Sequence, residues 1–435
     1  MAAGFVGRVS FPKISVLSGC LCFFGVISLT IAADETPAPV EAESHAAVQS
    51  LEAELAKGEL WGDKLAERDF AQVALTKDDA AKARELLWKR HSEQITKERA
   101  EEITKGVLVY DKHEMPFTIK EFGEKPKEGG SLWISMHGGG GAPKAVNDSQ
   151  WENQKRLYKL EEGIYVAPRA PTDNWNLWHE PHIDRLFDRL IEDLVVLKQV
   201  DPNRVYIMGY SAGGDGVYQL GPRMADRWAA AAMMAGHPND ANWLNLRNVG
   251  FAIQCGANDA AYNRNKVCKQ WIDKLDELQK DDPKGYVHYG KMHEGKGHWM
   301  DREDAKVLPW MAALKRNPVP ERVVWRQSGD KDNHARSYWL AVPQSGFQGG
   351  AEVVAERAGQ KIEIKSADKI EDLLIRLDER MVNLDEPVKV VYKEQVLFEG
   401  RARRTIGTLM RTLDHRGDPQ LMFDAEVAVK LPKDK

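Results

Sequence analysis

The sequence predicts an α/β protein built on a mostly parallel sheet of eight strands, with a helical segment before it and a small β-rich domain after it. Three observations carry this reading. Short apolar strands alternate with helical stretches from Gly106 to about Arg316. A strand–Gly-x-Ser-x-Gly–helix junction lies at Gly209-Tyr210-Ser211-Ala212-Gly213. Beyond Asn317-Pro318-Val319-Pro320, a rigid break, the pattern becomes strand-rich. Strands alternating with helices imply a parallel sheet covered on both faces.

The chain has 435 residues, enough for a catalytic domain with smaller units on either side. Hydrophobic residues make up 43% and charged residues 29%, proportions that exclude disorder as the main state. A net charge of -5, with acids and bases interspersed, gives no reason to expect nucleic acid as a partner.

At the N-terminus, Arg8 and Lys13 precede an apolar run from Ile14 to Ala33. Small residues follow at Thr30-Ile31-Ala32-Ala33, then Asp34 and a Pro- and Glu-rich spacer. This pattern, residues 1–33, resembles a secretory signal peptide, and cleavage with export is the favoured reading. The run is also long enough for a retained anchor. Leu17-Ser18-Gly19-Cys20 looks like a lipobox, although the apolar run continues past Cys20. The expected location is therefore secreted or periplasmic, with membrane contact only if this segment is retained or lipidated. Of four cysteines, Cys255 and Cys268 survive cleavage, and either a bridge or a pair of buried thiols fits them.

Residues 34–105 read as a linker and helices. Thr76-Lys77-Asp78-Asp79 resembles a capping box before a run containing Leu86, Leu87, Trp88 and Ile95. Residues 106–317 form the α/β unit, with strands expected at 107–110, 117–122, 132–136, 164–167, 205–209, 229–234, 251–256 and 286–289. Helices are expected at 182–199, 264–280 and 303–314. The first two strands are close enough to form a hairpin. Residues 318–435 form the β-rich domain, with strands from 322 to 429 and one helix near 403–413. It contains no cysteine–histidine cluster and no glycine-rich phosphate loop.

Chemistry concentrates on the α/β unit. A serine on a sharp strand-to-helix turn has its hydroxyl pushed above the sheet edge, provided that small neighbours let the chain pass. Ser211 occupies that position. A serine hydroxyl is a weak nucleophile at neutral pH, so it needs a base, a group that orients the base, and donors for a developing oxyanion. Asp259 follows the strand ending at Gly256 and is the candidate acid; functional groups in open α/β sheets gather at that edge. Asp240, after the preceding strand, is its rival. His298, flanked by Gly297 and following the last predicted strand, is the candidate base, with His293 as second choice.

The run His137-Gly138-Gly139-Gly140-Gly141 follows a core strand and is the candidate oxyanion loop. Gly139 and Ala212 are the assigned N–H donors, with Gly138 or Gly140 as alternatives to Gly139. His137 reads as a structural loop residue. Trp175 and Trp178, with Tyr210 beside the nucleophile, are candidate substrate-binding residues. His179 and His182 do not form a metal pair, because no carboxylate or cysteine completes a set, and no metal site is expected.

With His137–Gly141, the Gly-Tyr-Ser-Ala-Gly-Gly elbow, Asp259 and His298 in this order, the chain resembles the α/β-hydrolase superfamily. Within it the elbow and the exported context resemble secreted esterases of the polyhydroxybutyrate depolymerase and feruloyl esterase type. Dienelactone-hydrolase-like and prolyl-oligopeptidase-like domains are close in pattern. The resemblance covers roughly residues 106–316. It implies cleavage of small-molecule or polymer-linked carboxylic esters through an acyl-enzyme, with no cofactor. Two other readings stay open: a serine peptidase of prolyl-oligopeptidase type, and a non-catalytic carbohydrate- or surface-binding protein. The sequence does not set an oligomeric state.

Overall fold

The computed structural model describes residues 38–432, so the apolar N-terminal segment read as a signal peptide lies outside the described residues. The central sheet has eight strands: β1 (Val107–Tyr110), β2 (His113–Phe122), β3 (Gly130–Met136), β4 (Gly163–Pro168), β5 (Val200–Tyr210), β6 (Ala230–Met234), β7 (Gly250–Gly256) and β8 (His288–His293). Their order is β1-β2-β4-β3-β5-β6-β7-β8. β1 and β2 form an antiparallel hairpin, β2 is antiparallel to β4, and the remaining pairs are parallel. This is the α/β-hydrolase arrangement.

The reason is visible in the side chains. Every residue of β3, β4, β6 and β7 is buried, as expected for parallel strands covered on both faces. Alternate residues serve opposite faces. Ile134, Val166 and Ile207 join one apolar cluster, whereas Trp133, Tyr165 and Tyr206 join the other. The helix Pro181–Lys198 covers the first face with Ile183, Leu186, Phe187, Leu190, Ile191 and Leu194, which recur at helical spacing.

Helices Glu41–Lys57 and Lys77–Lys105 precede the sheet. Thr76 caps the longer one, its hydroxyl oxygen accepting the Asp79 N–H at 3.2 Å. Leu51, Leu75 and Leu87 pack with Ile406, Leu409 and Leu413 of the helix Ile406–Arg416 in a third apolar cluster.

The segment after residue 318 forms two further sheets. Five strands, β9 (Arg322–Arg326), β12 (Glu352–Ala358), β13 (Lys361–Asp368), β15 (Val388–Tyr392) and β16 (Gln395–Gly400), make one. Four, β10 (Arg336–Ser337), β11 (Leu340–Ala341), β14 (Asp372–Leu377) and β17 (Ala425–Lys430), make the other. β10 and β11 are separate short strands because Tyr338, between them, adopts a left-handed φ of 54°. Apolar residues of these sheets, Trp325, Trp339 and Val353 among them, belong to the same cluster as one face of the central sheet. The expected helix at 303–314 is a 3-10 turn, Glu303–Val307, followed by the short helix Leu308–Ala312. Pro309 removes an N–H there, at a position that a helix tolerates only in its first turn. Cys255 and Cys268 are both buried free thiols.

Candidate active site

Ser211 sits between β5 and the helix Ala212–Arg223 with φ 57° and ψ -120°. A non-glycine residue held there stores roughly 1–3 kcal/mol of strain and persists only when its surroundings enforce it. Here they do. The Ser211 N–H donates to the Met234 carbonyl of β6 at 2.9 Å, and its own carbonyl accepts the Asp215 N–H at 3.0 Å. The glycines around it are required by close approach. A Cβ on Gly209 would lie 2.2 Å from the Gly213 carbonyl oxygen, and one on Gly213 would lie 2.3 Å from that of Met136.

The loops after β7 and β8 bring the other two residues. They are stitched together by Ala257 N–H to His293 O and Asn258 N–H to Lys296 O, both 2.9 Å. Asp259 is buried and its Oδ2 lies 2.7 Å from His298 Nδ1. His298 Nε2 lies 3.0 Å from Ser211 Oγ. A carboxylate can only accept, so Nδ1 carries the proton of a neutral ring, and Nε2 is left to accept from the serine hydroxyl. The Asp259 side chain is 2% exposed and that of His298 42%, so the carboxylate is sealed while the imidazole faces solvent.

The two rivals stand apart. His293 is buried with Nε2 3.1 Å from Gln254 Oε1, and burial lowers its pKa. Asp240 accepts from Gln219 Nε2 at 2.8 Å. Tyr210 pins the histidine loop, its hydroxyl donating to His298 O at 2.6 Å and accepting from Met300 N–H at 3.1 Å.

The glycine loop is held by Asn147, a residue that no sequence motif marks. Buried Asn147 accepts the Gly140 N–H through Oδ1 at 2.8 Å and donates through Nδ2 to Ala142 O and Asp173 Oδ1. That bond removes Gly140 from the alternative oxyanion donors. Gly139 has φ 111°, and a Cβ there would lie 2.0 Å from Asn147 Oδ1, so only glycine fits. Among the described residues the N–H groups of Gly139 and Ala212 have no protein acceptor. His137 is structural: Ala170 N–H donates to its Nε2 at 3.2 Å, and burial lowers its pKa to about 4.

Two clefts meet at this loop. One, of about 690 Å³, is bordered by Gly139, Tyr210, Ser211, His298, Leu157 and Trp299. The other, of about 390 Å³, is bordered by Gly139, Ala212, Trp175, Asp215, Tyr262 and Arg264, with His237 and Asn239 at its edge. Trp175 is 62% exposed on the second cleft. Trp178, expected from the sequence to bind substrate, borders neither cleft. It is fully buried, its Nε1–H donates to His137 O at 2.8 Å, and it packs near Phe187. In the turn 175–179 the ring of Trp178 is drawn inward, while that of Trp175, three residues earlier, stays out. Among the described residues no group of three or more His, Cys, Asp or Glu is placed to hold a metal ion.

No family model matches the chain, and no curated protein matches it. Several solved structures align with about half of the chain. A thermostable esterase aligns with a TM-score of 0.39 at 17% identity, over 49% of this chain and 64% of that one. The chain therefore spans less than two thirds of that protein. The Bacillus cereus carboxylesterase aligns with a TM-score of 0.33 at 13% identity, over 51% of this chain and 98% of that one. A ferulic acid esterase aligns with a TM-score of 0.33 at 15% identity, over 48% of this chain and 96% of that one. The fold itself, read from strand order, crossovers and the strained serine turn, is that of an α/β-hydrolase.

Proposed function

We propose that the protein is a serine hydrolase that cleaves carboxylic esters through an acyl-enzyme. The observation that supports this reading is the continuous chain from Ser211 through His298 to Asp259, at 3.0 and 2.7 Å, beside the unpaired N–H groups of Gly139 and Ala212. His298 Nε2 takes the hydroxyl proton as Ser211 Oγ adds to the ester carbonyl. Asp259 stabilises the resulting imidazolium, and the two N–H groups receive the oxyanion. The tetrahedral intermediate expels the alcohol, which leaves with the proton from His298. A water, deprotonated by His298, then adds to the acyl group, and collapse returns free Ser211 and a carboxylic acid.

The test is turnover of para-nitrophenyl acetate and butyrate, a feruloyl ester and aminoacyl and prolyl amides by the wild type and Ser211→Ala. Ester turnover that falls by about 10⁴-fold or more in the variant, with the fold retained, is expected. Cleavage of amides in preference to esters would favour the peptidase reading. Equal turnover by both proteins would remove Ser211 from the reaction.

A further inference from the structure

Arg264 opens the helix Arg264–Asp281 and lines the smaller cleft. Its side chain is 11% exposed, yet among the described residues its one ion pair is long, Nη1 to Asp259 Oδ1 at 3.9 Å. Its Nε is buried without a hydrogen-bond partner. A guanidinium carries five N–H donors in a planar fork, and burying them unfilled is costly. The ring of Tyr262 lies against this guanidinium, 4.8 Å from centroid to Cζ. Tyr262 is itself 76% exposed and, like Asn263, held at a left-handed φ, 55° and 57°. A bulky residue in that conformation signals a loop fixed for a purpose other than its own stability.

The charges around the cleft narrow what fills it. Asp259 faces His298 and is occupied by it. Asp215 Oδ1 accepts the His237 N–H at 2.6 Å, and burial pushes the Asp215 carboxyl up to about 6 against the attraction of the Arg264 guanidinium. Among the residues lining the cleft, Arg264 is the one arginine or lysine. Gly139 borders both clefts, so a substrate whose carbonyl sits at Ser211 can extend a second group toward Arg264.

We propose that the cleft of Arg264, Tyr262 and Trp175 is an anion-reading subsite, so that the preferred substrates are esters that also carry a free carboxylate. This rests on the serine-hydrolase reading above. A carboxylate matches the guanidinium fork with two parallel hydrogen bonds, which a neutral oxygen or a lysine in place of Arg264 would not reproduce. Trp175 and Tyr262 supply flat walls for the chain between carboxylate and ester.

The experiment compares kcat/KM for para-nitrophenyl hydrogen glutarate with that for its uncharged methyl diester, in the wild type, Arg264→Gln and Arg264→Lys. The wild type is expected to favour the anion by about tenfold or more, Arg264→Gln to erase that preference, and Arg264→Lys to keep part of it. Three results would overturn the proposal: no preference in the wild type, preference for an ammonium-bearing ester, or an equal fall for both esters in Arg264→Gln. The last would make Arg264 a positioning residue for Asp259 while leaving the serine-hydrolase reading intact. If neither ester is turned over and a phosphonate fails to label Ser211, that reading fails and this proposal with it.

Discussion

Ser211, Asp259 and His298 were legible because each lies at the carboxyl end of a strand and among small residues that let chains approach. Asn147 was not legible, since nothing in Lys144–Gln154 distinguishes one polar helix residue from another. Its importance comes from a contact made after folding, the bond from Gly140 N–H at 2.8 Å that fixes the glycine loop. Asn147→Ala should therefore lower kcat for an aryl ester by about 10- to 100-fold with little change in KM, as for loss of oxyanion stabilisation. Steady-state kinetics checks this, and an unchanged kcat would detach the loop from catalysis. Arg264 was hidden for a similar reason: its Nε is left buried and unpaired only once the chain has folded around it. Trp178 misled because its sequence neighbourhood matches that of exposed Trp175, and packing against Phe187 and the bond to His137 O separate them.

The strands of the central sheet were read from sequence more closely than anything else, because buried parallel strands leave short apolar runs between helices. β5 begins earlier than expected, at Val200, where Asp201, Pro202 and Asn203 mask the strand. β8 is displaced to His288–His293, a polar edge strand with Gly290 and Lys291 exposed, which lacks the apolar signal. The edge of β7 has a direct consequence for the site. A Cβ on Gly256 would lie 2.0 Å from the Gly297 carbonyl oxygen and 2.5 Å from that of Lys296, backbone atoms that cannot swing aside. Gly256→Ala should push the His298 loop away from Ser211. A shift near 1 Å is expected to cost about 100-fold in kcat/KM, with the far-ultraviolet circular dichroism retained. Full activity in this variant would contradict the requirement for close approach.

Between the central sheet and the sheets that follow residue 318 lies a buried set of ion pairs that no local pattern foretells. Arg316 Nη1 donates to Asp418 Oδ2 at 2.7 Å and Arg416 Nη1 to Asp188 Oδ2 at 3.3 Å, while Arg416 also pairs with Asp226. The nearby arginines hold Asp188, Asp226 and Asp418 below the usual carboxylate pKa of 3.8 against the opposing effect of burial. Lowered pKa values mean stability present above pH 3.8 and lost as pH falls through the folded values. Asp215 acts oppositely: its raised pKa costs stability as pH rises from 3.8 through about 6. Since the pairs bridge both parts and their apolar core is shared, acid below pH 3.8 is expected to unfold the two together. Hydrogen exchange followed by mass spectrometry checks this. Loss of protection in β9–β17 while β3–β7 stay protected would contradict it.

The central claim is that Ser211 is the activated nucleophile, and covalent capture tests it most directly. An aryl-ester-like fluorophosphonate should add to the intact protein at one equivalent, map to Ser211 by peptide mass spectrometry, and fail to add to Ser211→Ala. Stoichiometric labelling at another residue, or no labelling of a folded wild-type protein, would contradict the account.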